Sequence, residues 1–244
     1  MVSSKATTTM GLGARGRLDL RRKSTIMTAF EHTVSSVDEL SNLYRPPSDG
    51  VVNKETSVLD HGCRDFIKQS TFVLIGTSSL EGKQDVSPRG GPAGFVKVLD
   101  DYHLVIPDLN GNNRLDSIRN IIEQETIGLL FIIPGLGETL RINGRGCITT
   151  DDSLLELFSE ELRKPKAAIG VTVETGFIHC AKSFMRSGMW EPETWPKKEC
   201  TPSPGKMLVD HSGMGGSISG EERDQLLEEG YKVDLAADLP ETNT

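Results

Sequence analysis

The chain is short of cysteine, of long apolar runs and of positive charge, and each shortage closes a class of function. Its four cysteines, Cys63, Cys147, Cys180 and Cys200, form no CxxC pair and no metal-ligand spacing. No metal site is expected, and free thiols in a reducing, cytoplasmic setting are. The longest apolar run, IGLLFIIPGL, is interrupted by Pro134 and falls short of the ~18–20 residues of a membrane span. Net charge is −8, so a general nucleic-acid or anionic-membrane surface is excluded. No GxxxxGK[ST], GxSxG or HExxH occurs and no pair of carboxylates stands out. The glycine cluster near the N-terminus lacks the strand–helix context of a dinucleotide fingerprint. No internal repeat is present. A chain of this kind that does chemistry leaves the hard step to a bound cofactor.

What is present is an ordinary globular composition, 36% apolar and 25% charged over 244 residues, with an uneven charge balance. Residues 1–27 hold Lys5, Arg15, Arg17, Arg21, Arg22 and Lys23 against Asp19 alone. This basic, Ser/Thr-rich stretch has the composition of an organelle transit peptide, and equally that of a tail ahead of a start at Met27. Residues 1–34 are expected to be a disordered tail, 35–230 the folded domain and 231–244 a second tail.

Hydrophobic periodicity places the elements. Ser36-Val-Asp-Glu39 reads as a capping box opening a short helix to about Tyr44, and a second helix is expected over 55–69. TFVLIGT (71–77) reads as a strand turning through Ser79–Lys83 into QDVS. FVKVLDD and YHLVIPD read as a second hairpin. NNRLDSIRNIIEQE (112–125) reads as an amphipathic helix with Leu115, Ile118 and Ile122 on its apolar face. IGLLFIIP reads as a fully buried strand, and ETLRINGRGCIT as an alternating one. Asp151 caps a helix to about Leu162, AAIGVTVET is a strand and HCAKSFMRSGMW is helical. Residues 191–219 read as loop, and a capping box at Ser219 opens a last helix that stops at Gly230. Tight hairpins with few crossovers favour a closed antiparallel barrel with peripheral helices, a mainly-β fold.

Three stretches can carry chemistry. In DVSPRGGPAG (85–94), Pro88 removes a donor and Gly90-Gly91 permit positive φ, so the strand is expected to break there. A break would open amides toward a flat or anionic ligand beside Arg89, although a hairpin loop with a solvated arginine fits the same residues. In IPDLNGNNRLDSIRN (106–120), Arg114 is placed in the first turn of a helix. Its charge opposes the helix dipole by roughly 0.3–1 kcal/mol, which an anion at that N-terminus would explain. In HCAKSFMRSGMW (179–190), Lys182 and Arg186 share a helical face with Trp190 one turn on, which suits a planar anion or a solvated face with an anchored indole. His179-Cys180 point about 100° apart on a helix and do not form a metal or nucleophile pair.

Taken together, DVSPRGGPAGFVKVLDD, LVIPDLNGNNRLDSIRNI and GLLFIIPGLGETLRINGRG resemble the pyridoxamine 5′-phosphate oxidase-like, FMN-binding split-barrel family, over about residues 37–230. The likeness is to a bacterial branch with SPRG and NNRLDS blocks. It implies a six-stranded antiparallel split β-barrel that forms a homodimer with FMN at the interface. It also implies an oxidoreductase acting on a small organic molecule by hydride transfer at flavin N5. The isoalloxazine would lie along Val86, Ser87, Pro88 and Arg89, beside Pro107 and Asp108. Asn113 and Arg114 match a basic pair that holds the FMN phosphate, here with Asn in first place. Thr139 stands where a glutamine approaches the flavin, and Lys182, Arg186 and Trp190 would come from the second subunit. The chain ends KVDLAADLPETNT, without the basic, Trp-containing segment that grips pyridoxamine phosphate, so that substrate is not expected. A non-catalytic flavin- or haem-binding module of the same fold is the alternative reading.

Overall fold

The computed structural model describes residues 29–213 and 218–240, and the chain divides into two compact units, 1–48 and 49–244. The expectations for residues 1–28 lie outside the described residues. In the first unit, helix α1 (Val37–Leu40) starts where the Ser36 hydroxyl accepts the Glu39 amide. The reciprocal bond is shifted by one residue: the Glu39 carboxylate accepts from Ser35 N–H and Oγ.

The second unit begins with α2 (Asp49–Val52) and α3 (His61–Gln69), whose cap is Asp60 accepting from Cys63 N–H. Cys63, Phe66 and Ile67 form the buried face of α3. Seven strands follow, with helices between some of them: β1 (Phe72–Ser78), β2 (Gln84–Gly90), β3 (Lys97–Val98), β4 (His103–Pro107), β5 (Thr126–Ile132), β6 (Thr139–Thr149) and β7 (Ala168–His179). They form one antiparallel sheet in the order β2-β1-β5-β6-β7-β4-β3. The fold is mainly β, an antiparallel split barrel; the expected six strands become seven through the two-residue β3, which pairs with β4. Sequence-adjacent β2 and β3 sit at opposite edges and do not pair, which leaves the barrel split.

The core lies on the inner sheet face. Val73, Ile75, Ile106, Leu129, Phe131 and Ile142 are essentially inaccessible, and Phe95, Ile121 and Phe158 close the layer over them. β5 alternates buried and half-buried positions, so IGLLFIIP is covered on one face rather than both. The outer row runs Pro88–Leu74–Leu130–Arg141–Phe177 across five strands. The β6–β7 ladder slips by one residue at Asn143/Gly144. A Cβ on Gly144 would run into the Thr172 carbonyl oxygen, so the bulge requires glycine there.

Several helices depart from expectation. α4 covers Asp116–Gln124 and buries Ser117, Asn120 and Ile121, while Leu115 and Ile122 are exposed. The small polar residues face inward because each finds a partner: Ser117 Oγ donates to Asp85 and Asn120 Nδ2 to Thr77 Oγ1. α5 (Asp152–Leu155), capped by Asp151, passes into a 3-10 turn well before Leu162. β7 runs on to His179, and α6 is confined to Lys182–Ser187. The stretch expected to be loop contains α7 (Pro204–Ser212), opened by Ser203 and Pro204. α8 (Gly220–Ala237) has the Ser219–Glu222 capping box but continues through Gly230. An exposed mid-helix glycine costs only about 1 kcal/mol, and Asp224 ties α8 to α7 through Ser203 Oγ and Gly205 N–H. Among the described residues no helix is long and apolar enough to cross a membrane.

Candidate functional site

β2 does not break at Pro88. The strand keeps full register with β1 from Gln84 to Gly90, and Pro88 sits opposite Leu74. Proline is tolerated because β2 is an edge strand, where a missing N–H breaks no ladder bond. The chain turns only after Gly90. Gly91 N–H donates to the Thr71 carbonyl, and a Cβ on Gly91 would lie 2.7 Å from the Phe95 side chain.

Strand alternation sorts this edge into two faces. Asp85, Ser87 and Arg89 pair with the buried Thr77, Ile75 and Val73 and point to the inner side. Val86 and Pro88 point outward, and Val86 is exposed. The inner side opens into a cavity of about 720 Å³. Its walls are Ser87, Pro88, Arg89 and Gly90 on β2, Phe72 and Phe95, the end of β4 at Pro107 and Asp108, the loop 109–115, and the first turn of α4. Leu235 of α8 and the following Asp238 close one side. Asp238 accepts from the Asn110 amide at 3.2 Å.

The electrostatics are specific. Arg89 Nη1 donates to Ser87 Oγ and, at 2.8 Å, to the Pro88 carbonyl. Asp108 faces this guanidinium; burial pushes its carboxyl up and Arg89 opposes that shift less strongly. Asp85 is occupied by Ser117 Oγ at 2.6 Å. Arg114 is ion-paired to Asp116, which is the first cause holding its guanidinium more firmly charged, and its side chain is mostly exposed at the cavity mouth. Arg114 lies before α4, not in its first turn.

α4 begins without a side-chain cap. Its N-cap is Leu115 in the left-handed region at φ 59°, and Asn113 is also left-handed at φ 55°. A bulky residue in that region costs roughly 1–3 kcal/mol and persists at ligand clamps and turns. No side chain caps the first turn of α4, whose residues Asp116, Ser117 and Ile118 line the cavity together with Arg89 and Arg114.

Of the residues singled out from sequence, the fold brings Ser87, Pro88, Arg89, Pro107, Asp108, Asn113 and Arg114 to this one cavity. Val86 and Thr139 stand outside it: Val86 is on the outer sheet face, and Thr139 is buried opposite His179 and Ile132. Lys182 and Arg186 lie on α6, away from this chain's cavity. Trp190 stacks on Phe184 at 5.5 Å and donates to the Leu136 carbonyl. Asp85, Ser117, Leu235 and Asp238 were not anticipated. Asp85 and Ser117 were inside the marked stretches, whereas nothing local in the sequence ties residues 235 and 238 to a loop 128 positions earlier.

The fold matches solved structures at low identity. HupZ from Group A Streptococcus shares 18% identity, with 49% of this chain and 92% of that one covered at a TM-score of 0.41. A putative pyridoxamine 5′-phosphate oxidase from Lactobacillus delbrueckii shares 20%, covering 50% and 95% at 0.40. A nimc/nima family protein from Clostridium acetobutylicum shares 16%, covering 50% and 87% at 0.38. At these scores the likenesses carry no functional argument. No curated protein matches the chain. The family model for pyridoxamine 5′-phosphate oxidase matches residues 59–180, half of the chain, from just before the α3 cap Asp60 to just past the end of β7, and the chain belongs to that family.

Proposed function

We propose that the cavity holds FMN and that the protein is a flavin-dependent oxidoreductase acting on a small organic molecule. The observation that carries this reading is the first turn of α4, uncapped by any side chain, lining the cavity together with Arg89 and Arg114. Free amides and the helix dipole favour a phosphate there, and each charge-assisted hydrogen bond would contribute about 1.5–3 kcal/mol. The cavity volume of about 720 Å³ is in the range of cofactor sites. The two arginines meet an anion, and the nearby Asp85 and Asp116 are already engaged by Ser117 and Arg114.

When bound, the flavin supplies hydride transfer at N5. The chain's own part is binding and charge placement. Arg89, fixed by Ser87 Oγ and the Pro88 carbonyl, presents a guanidinium that offsets negative charge on the inner side of β2. Asp108, held toward its protonated form by burial, is the titratable group best placed to hold or release a proton beside it. Lys182, Arg186 and Trp190 would reach such a cofactor from a second copy of the chain, so the reading includes a homodimer with the site at its interface.

Purified protein should be yellow, release FMN on heating and run as a dimer by light scattering. Colourless protein that ignores added FMN would overturn the reading. Bound FMN that no nicotinamide donor reduces would leave a binding module without turnover.

A further inference from the structure

Outside the cavity, the outer face of β6 and β7 gathers positive charge on one aromatic ring. Lys54 Nζ lies 5.4 Å and Arg141 Cζ 5.3 Å from the centroid of Phe177. Arg141 is the register partner of Phe177, and the segment carrying Lys54 is held beside β7 by paired hydrogen bonds between Thr56 and Gly176. The His179 ring follows at 6.5 Å from Phe177 on the same face. Among the described residues neither Lys54 nor Arg141 joins an ion pair.

His179 lies beside these cations. Its Nδ1 atom is buried and has no hydrogen-bond partner. A buried polar atom left unpaired is destabilising, and such atoms in native structures ask for a missing partner. Burial first, then Arg141 and Lys54, hold the imidazole toward its neutral form. A neutral ring can present Nδ1–H as a donor. Two permanent cations beside an orphaned ring nitrogen, which the Nδ1–H tautomer makes a donor, are complementary to an oxyanion. Stepping across the sheet from Arg141 through Leu130 and Leu74 to Pro88 takes three strand spacings, roughly 14 Å, so this cluster is separate from the inner-face cavity.

We propose that Lys54, Arg141 and His179 form an oxyanion site on the outer sheet face, taking the carboxylate or phosphate of a small molecule. None of the three residues lines this chain's own cavity.

Long-range proton–nitrogen NMR of the full chain reads the site directly, since only five histidines contribute and His179→Gln identifies the His179 signals by their loss. Inorganic phosphate and succinate are titrated separately at constant ionic strength. The His179 signals should move saturably with at least one of them, while those of His61 and His103 stay put; the anion that binds more tightly names the class. Arg141→Gln and Lys54→Gln should each weaken that binding about tenfold, and Arg141→Lys should restore most of it. Absence of movement with both anions overturns the proposal. So does movement of equal affinity in Arg141→Gln and Lys54→Gln, with the other histidine signals confirming that each variant is folded.

Discussion

Arg89 on the edge strand β2 and Asp108 at the end of β4 face each other across one cavity, and they pull the carboxyl's ionisation in opposite senses. Burial wins, so the folded-state pKa of Asp108 lies above its ordinary value. The native protein therefore binds more protons than the unfolded chain between the ordinary value of 3.8 and the raised one, and this group's contribution to stability falls as pH rises through that window. Asp108→Asn should raise the melting temperature at pH 7. The gain should fade as pH drops toward 3.8 and vanish below it. Thermal melts of both proteins from pH 3 to 8 check this, and an equal gain at every pH would refute it.

Arg114→Ala should weaken FMN affinity at least about tenfold, or roughly 1.4 kcal/mol. Arg114 stands at the cavity mouth before the uncapped helix and can turn from Asp116 to a phosphate without crossing the core. Flavin fluorescence titration measures it. Unchanged affinity would place the phosphate elsewhere.

Phe131→Ala should cost about 3–5 kcal/mol, because the ring is fully buried between β1 and β6. Urea unfolding should show a lower midpoint with an unchanged slope.

Thiol reactivity should divide three to one. Cys147, Cys180 and Cys200 are exposed, while Cys63 is buried and burial is the first cause pushing its thiol up to about 11. At pH 8 an aromatic disulfide reagent should titrate three thiols in the native protein and the fourth only after denaturation. Four fast thiols would show that α3 opens readily.

The sheet was legible where a single face is covered. β6 alternates because only its inner side meets the core, and the turn Ser79–Lys83 closes on its own residues through the Ser79 amide and Lys83 carbonyl. Legibility failed where partners lie far off in sequence. The apolar stripe of α4 suggested Leu115 and Ile122 as its inner face; the helix instead turns Ser117 and Asn120 inward because Asp85 and Thr77 await them. α7 was missed because its Ser203-Pro204 start lies in a stretch rich in Pro, Gly and Ser, and because the partner that holds it, Asp224, lies on the next helix. Seven of the twelve marked site residues meet at the cavity, and for two of them, Ser87 and Arg89, strand alternation, a local property, is the reason. The same alternation sends Val86 to the other side, which a reading of DVSPRGGPAG as a broken strand could not show.

That uninterrupted edge has a consequence for solubility. A strand at a sheet margin invites a stranger's backbone to zip onto it. At Pro88 this margin offers no amide proton, and the carbonyl of the same residue is occupied by the guanidinium of Arg89. One proline and one arginine thus blunt both halves of the template, donor and acceptor, at the middle of the exposed rim, and guard the chain against runaway self-assembly.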